Sequence, residues 1–436
     1  MRSHSISGMA ALTHWLTPQV WKEARQGGKQ SAARWRLHPL VMVLALMTYT
    51  SGNSEAERFA TARAFYVARH QREKRPGQTL QGFQQALAKL PMPLLHALFA
   101  ALRRRLTHLY QRCWRTFGFV LLACDGSRLE CPRSAELEKR LGCCSKKDSA
   151  PMLHVTTLVL LPVGLLWSWC VGPGTASEHA QLRELLPTVP RGALLVADAC
   201  YLGYDLYADI LQVKADFLVR GSSRAYLYTE QRQRLKRFRE GPVCYWPGPA
   251  QRKGQPPLLL RLIRVRGKKG RDLWLLTSVL QPERLTRQQA AEIYRWRWQI
   301  EGVYRTYKRT LPKVKLWSRT EALAYREAEV SLLALQLLLA QCVGQRSTAV
   351  ARPPDSPRRI LLRLRGEITT ALGAELGPRQ QQWYRAQLEH VRRGGQRKRV
   401  RRKWPRRKDH KPPKPPKLRV MPKRLKAKMK QHFHAA

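Results

Sequence analysis

The spacing of apolar and polar residues changes character near residue 117. Before it, apolar positions recur at three- and four-residue steps over 39–47, 54–70, 80–90 and 93–110, the period of amphipathic helices. Ser51, Gly52, Asn53 and Ser54 supply a turn and a cap between the first two. After it, short apolar runs rich in β-branched and aromatic residues take over. The first, 117–124, runs into Asp125, Gly126 and Ser127. Residues 153–172 are almost uncharged and about long enough to cross a bilayer, but Pro162 and Gly164 divide them. A hairpin of strands over 152–161 and 164–171 is therefore predicted. Thr175 and Glu178 have the spacing of a capping box that would open a helix to about residue 186, and a further strand over 193–197 ends on Asp198. A helix over 203–211 and a strand over 216–220 follow. This order predicts a mixed α/β fold.

Residues 222–284 read as strands and turns, with runs at 257–265 and 272–279, and predict a β-rich insertion. The next proline-free stretch, 285–311, reads as one long helix. At about 100° per residue from Tyr294, the apolar residues Ile293, Trp296, Ile300, Val303, Tyr307 and Leu311 gather on one side, with Trp296 at about 200°. Arg297, Trp298, Glu301 and Lys308 lie near Tyr294 on the other, with Trp298 at about 40°. Trp296 is thus predicted in the core and Trp298 on the polar stripe. An ordinary solvated face with i, i+4 ion pairs would look similar. Residues 321–342 form a further long helix, apolar enough at its end to be buried, and 356–372 and 378–391 two more. The predicted organisation is a helical unit over 1–116, an α/β domain over 117–345 with its insertion at 222–284, a helical segment over 346–391 and a basic tail over 392–436.

Charge sharpens this picture. The 436 residues carry 81 Lys and Arg against 29 Asp and Glu, a formal net charge of +52, so a polyanion is the natural partner. From residue 392 to 430 about twenty residues are cationic and one, Asp409, is acidic; no core can form from that, and the tail is expected to be disordered until it meets a polyanion. The nine cysteines are odd in number and lack a C-x-x-C pair, which argues against a disulfide framework and a zinc site. With no apolar run near Met1 to suggest a signal peptide, a cytoplasmic protein outside the membrane is expected.

In so basic a chain, the carboxylates Asp125, Asp198 and Glu301 stand out, two at strand ends and one on a cationic helix face. A single such acid is usually a turn former. Three on separate elements suit a pair of Mg²⁺ ions, hard cations that take oxygen ligands and activate the attacking and leaving oxygens of phosphoryl transfer. Glu178 is assigned to the capping box in preference to a role assisting the metal.

Tyr294, Arg297, Glu301 and Lys308 have the spacing Y-x2-R-x3-E-x6-K. This resembles the signature of bacterial insertion-sequence DDE transposases with a YREK motif, the insertion-sequence-four family. Asp125-Gly126-Ser127 looks like that family's first aspartate motif and Asp198-Ala199-Cys200-Tyr201 like its second, and the resemblance covers about residues 35–345. It implies a ribonuclease-H-like fold with a β-rich insertion, and cut-and-paste transposition of DNA. It also implies Asp125, Asp198 and Glu301 as catalytic ligands of two Mg²⁺ ions, which Mn²⁺ could replace. Tyr294, Arg297, Arg305 and Lys308 would contact DNA, and Trp298 would handle an unstacked base. The partners implied are double-stranded transposon ends and target DNA, held by a homodimer. The sequence departs from the family at Cys200, where glycine is usual and a side chain could crowd the turn. The alternative is a catalytically inactive DNA-binding derivative.

Overall fold

The computed structural model describes residues 12, 14–29, 35–70, 74–142, 149–161, 163–231, 234–235, 237–267, 272–344, 356–372 and 414–434. The predicted helix at 378–391 and the tail from 392 to 413 lie outside the described residues, as do Cys143 and Cys144.

Five strands make the centre of the molecule. β1 (Val120–Glu130) pairs antiparallel with β2 (Met152–Leu161), which turns back as β3 (Leu165–Pro173); β4 (Ala193–Ala197) and β5 (Asp216–Arg220) run parallel to β1 on its other side. The β2–β3 turn needs a glycine, since Gly164 has φ +79°. The resulting order, β3-β2-β1-β4-β5, with an antiparallel three-strand meander followed by two parallel strands, is the ribonuclease-H-like arrangement. The parallel crossovers run through α7 (Glu178–Leu185) and α8 (Tyr204–Gln212), after α6 (Ala135–Leu141). β4 and the first half of β1, Val120 to Cys124, read as unbroken apolar runs in sequence because they are central, with both faces covered.

The insertion does not form a separate sheet. β9 (Leu273–Thr277) lies antiparallel to β5, and β8 (Leu258–Val265), β7 (Glu240–Tyr245) and β6 (Tyr226–Thr229) extend outward from it, so one ten-stranded sheet runs through the chain. A short helix, α9 (Gly248–Arg252), links β7 to β8.

Helices α1 (Pro18–Ala24), α2 (Leu37–Tyr49), α3 (Glu55–Arg69), α4 (Leu80–Ala88) and α5 (Met92–Leu109) precede the sheet. They share its core. Twelve residues of α2 are buried, and Tyr49 donates 2.6 Å to the carbonyl of Ala334 in α12 (Glu321–Gly344), which also packs on β3. Gln336 of α12 bonds both backbone groups of Leu166 at 2.8 Å, tying that helix to β3. One continuous hydrophobic cluster therefore runs from Leu12 to Met421. α13 (Pro357–Ala371) lies against α12, and its Arg365 donates 2.7 Å to the carbonyl of Tyr49. Among the described residues no single helix is long and apolar enough to cross a membrane.

Two sequence expectations are corrected here. The stretch 285–311 is not one helix: α10 (Arg287–Trp296) and α11 (Gln299–Arg305) are separated by a tight turn at Arg297 and Trp298, and a π-helical turn, Thr306–Thr310, follows. The basic tail is not wholly unstructured. Lys417–Val420 forms β10, parallel to β6, and Lys423–His434 forms α14. Lys, Leu, Arg and Val alternate with the period of a strand, and β6 offers an unpaired edge, so backbone hydrogen bonds outweigh the unfavourable composition.

Candidate active site

The site forms where β1 and β4 run side by side. Ala123 lies opposite Val196 in the last paired rung, and Asp125 and Asp198 each follow two residues on, so the same register carries them to one level just past the end of β4. Each aspartate spends one oxygen on its own turn. Asp125 Oδ1 accepts from Gly126 N at 2.9 Å, and Asp198 Oδ1 accepts from Cys200 N at 2.7 Å. The other oxygen of each remains for a ligand. Burial, with the neighbouring charges of Asp198 and Glu178 adding to it, raises Asp125 to about 6 despite the opposing Gly126 N–H and Arg297.

Glu178 joins this group, which corrects the capping-box reading. The helix is capped at Ser177 rather than Thr175, so Glu178 is the first residue of α7 and its side chain is free to turn to the site. Burial and then the charge of Asp198 raise its pKa. Its Oε1 lies 3.8 Å from Nε2 of His154, but burial and Arg128 lower that histidine to about 4, so the imidazole is neutral and the contact is not an ion pair. Gly126 makes this approach possible. A Cβ there would meet His154 Nε2 at 2.6 Å and Glu178 Oε1 at 3.1 Å.

The helix that carries Glu301 is fastened to the sheet by a residue that sequence reasoning missed. Tyr304, one helical turn on from Glu301, has its hydroxyl 2.9 Å from the carbonyl of Asp125, 3.0 Å from that of Val155 and 3.1 Å from Thr157 Oγ1. Thr157 is the partner of Asp125 across β1 and β2. This lock fastens α11 to the rung of the sheet that carries Asp125. Its only sequence signal is a hydroxyl on an otherwise apolar helix face.

The cationic residues divide. Arg297 is 8% exposed and Tyr294 5%, and Arg297 Nε and the Tyr294 hydroxyl are both buried without a hydrogen-bond partner among the described residues. The guanidinium lies 5.6 Å from the ring centre of Tyr294, 5.3 Å from that of Trp298 and 3.9 Å from Glu301 Oε1. Buried donors left unpaired next to carboxylates are costly, and an anionic ligand would satisfy them. Lys308, in the π-helical turn, is half-buried, and burial together with Arg128 lowers its pKa. Arg305 points to solvent.

Trp298 is 60% exposed, as its position on the polar stripe predicts. Trp296 departs from expectation: it is only partly buried, its ring stacked on Phe117 at 5.8 Å between centres and 7° between planes. The wheel gives the side that Trp296 faces, not how completely its neighbours cover it.

Cys200 does not crowd its turn. It is exposed, sits in a short 3₁₀ turn with no positive φ, and its carbonyl lies 2.8 Å from His179 Nε2. Of the other described cysteines, all free, Cys124, Cys131 and Cys244 are buried.

Among the described residues, no three His, Cys, Asp or Glu side chains already converge at metal-binding distance. The donor set nonetheless suits a divalent cation. Asp125 and Asp198 are level on adjacent strands, Glu178 faces both, and a cation held by their oxygens would turn this mutual repulsion into attraction.

A family model described as Transposase DDE domain matches residues 117–337 of the 436, just over half of the chain. The chain belongs to this family. The matched span begins just before β1 and ends within α12, so it takes in every carboxylate discussed above. Transposase domains of this kind generally use divalent metal ions. No curated protein matches the sequence. Among solved structures, a piggyBac transposase synaptic complex with hairpin DNA is similar, with a TM-score of 0.46 and 10% identity over 88% of this chain and 85% of that one.

Proposed function

We propose that this transposase cuts DNA at the ends of a mobile element and joins the freed 3′ ends to a target, by cut and paste. Its signature residues resemble those of the insertion-sequence-four family. The observation that carries the reading is the level pair Asp125 and Asp198 beside two buried donor atoms without a hydrogen-bond partner among the described residues, Arg297 Nε and the Tyr294 hydroxyl. Asp125, Asp198 and Glu301, with Glu178 beside them, would hold Mg²⁺ or Mn²⁺. Bound there, the cations supply a deprotonated attacking oxygen and stabilise the leaving one. Arg297 Nε and the Tyr294 hydroxyl take a phosphate oxygen of the DNA, and Lys308, Arg305 and Arg128 line its approach. Two ends call for two copies of the chain, and the basic N-terminal helices and tail add contacts to the duplex. The protein would work in the bacterial cytoplasm, at the nucleoid.

The test is incubation of the purified protein with a duplex carrying the inverted repeats that flank its coding DNA. Cuts at the repeat ends in Mg²⁺ or Mn²⁺, and joining of the new 3′ ends to a second duplex, are expected. Tight binding with no cutting in either metal would instead assign a non-catalytic DNA-binding derivative.

The two tryptophans of this region give a second expectation. Trp298→Ala should melt like the wild type, since its ring is mostly in solvent, yet lose about 1–3 kcal/mol of stacking on an unstacked base and cut poorly. Trp296→Ala removes the stack on Phe117 and should cost on the order of 1–3 kcal/mol of stability with normal cutting per folded molecule. Melting curves and cleavage rates of the two variants decide it; a large melting loss in Trp298→Ala would refute the base contact.

A further inference from the structure

A second basic feature lies in the insertion, away from the carboxylates. A groove of about 890 Å³ is lined by Arg237 and Arg239 ahead of β7, Arg264 and Arg266 at the end of β8, and Arg287 at the start of α10. The backbone N–H of Arg264 bonds the carbonyl of Arg239 at 2.9 Å, which sets the β7 and β8 arginines side by side. Arg264 is paired with Asp272. Among the described residues the side chains of the other four have no ion-pair or hydrogen-bond partner, and all four are exposed. Four exposed guanidiniums in one groove repel one another, and a polyanion relieves that repulsion.

The groove is aligned with the active site. Arg287, Ala291 and Tyr294 are spaced four and three apart on α10, so the groove and Tyr294 share one stripe of that helix. Seven residues separate Arg287 from Tyr294 within α10, about 10 Å at 1.5 Å per residue, and Glu301 lies further on, beyond the turn at Arg297 and Trp298. A duplex advances 3.4 Å per base pair, so the groove lies several base pairs from the carboxylates.

We propose that this arginine groove binds the phosphate backbone of the element-end duplex several base pairs from the scissile phosphate. It thereby sets the angle at which that duplex enters the active site. The proposal rests on the transposase reading given above. Contact with phosphates carries no base sequence, so the groove would position the end without choosing it.

The test compares wild type with Arg239→Glu/Arg266→Glu on two cleaved-end duplexes, one reaching about four base pairs from the cut and one reaching about twenty. Both residues are exposed, and a melting curve establishes that the variant folds. On the long duplex the variant should bind roughly tenfold or more weakly, with the slope of log affinity against log salt flatter by about 0.9 for each phosphate that is no longer neutralised. On the short duplex, which cannot reach the groove, the two proteins should bind alike. Equal losses on both lengths, or no loss on the long one, would overturn the proposal. So would normal binding of both ends with a defect only in joining to target, which would assign the groove to target DNA. A wild-type protein that fails to cut any end in Mg²⁺ or Mn²⁺ would defeat the transposase reading itself, an outcome separate from these binding results.

Discussion

Asp125→Asn, Asp198→Asn and Glu301→Gln are each expected to lower strand cleavage by a factor on the order of 10³ or more, because several kcal/mol of charge stabilisation at the transition state go with the missing ligand and every 1.36 kcal/mol is tenfold. DNA binding should survive or tighten slightly. The three acids lie among cations, so removing a negative charge there reduces repulsion of the phosphates. Acid should act in the same direction as the Asp125 substitution. With its carboxyl raised to about 6, protons compete with a divalent cation as pH falls through that value, and metal affinity should fall with it. Glu178→Gln offers a comparison: it removes charge beside the site without removing any of the three acids that the sequence singles out. Cleavage of an end-bearing duplex in Mg²⁺ and Mn²⁺, beside gel-shift affinities, checks all four. Unimpaired cutting by the triple Asp125, Asp198 and Glu301 variant would move the site elsewhere.

Much of the site is legible in the sequence because rarity carries information. Where cations outnumber acids 81 to 29, an acid after an apolar run is conspicuous, and two such runs lying parallel bring the acids to one level, although β1 continues through Asp125 to Glu130. The features that sequence reasoning missed depend on backbone detail. Thr175 and Glu178 have capping spacing, but the chain bends two residues later, at Ser177, and this frees Glu178 to face Asp198. The helical wheel over 285–311 places Trp298 well. It misjudges Trp296 because an angle gives the side a residue faces and not how far its neighbours cover it: the ring stacks on Phe117 and stays partly open. Tyr304 is invisible for a different reason: a tyrosine on an apolar face reads as core, and its three hydroxyl contacts exist only once β1 and β2 are side by side. In the tail, composition argued against structure, while the alternation of Lys417, Leu418, Arg419 and Val420 argued for a strand; the free edge of β6 decided the matter.

The largest stability effect is expected at Lys313 and Glu327, an ion pair 2.7 Å long with both side chains about 5% exposed. Lys313 follows the π-helical turn that carries Lys308, and Glu327 lies in α12, so the pair fastens the end of the catalytic helix region to the central helix of the core. Glu327 is fully engaged. Its second oxygen accepts from Trp317 N and Ser318 N at 2.9 Å each and from Ser318 Oγ at 2.8 Å. Lys313→Met leaves that carboxylate buried without its cation and should cost about 3–5 kcal/mol. Glu327→Gln keeps a carbonyl oxygen for the loop, yet it strands the ammonium of Lys313, so a loss of similar size is expected. Burial alone would raise the pKa of Glu327, but Lys313 and the Ser318 donors outweigh it and hold the carboxyl below its ordinary value. A carboxyl depressed in the folded state lends stability above its unfolded pKa of about 4.3, and that stability is lost as pH falls through the folded value. Wild-type melting temperature should therefore drop on acidification below about pH 4, and Glu327→Gln should remove this group's share of the drop. Thermal melts of the three proteins from neutral pH down to acid measure both effects. A Lys313→Met protein that melts with the wild type would mean that water reaches Glu327 and that the pair contributes nothing to holding the loop.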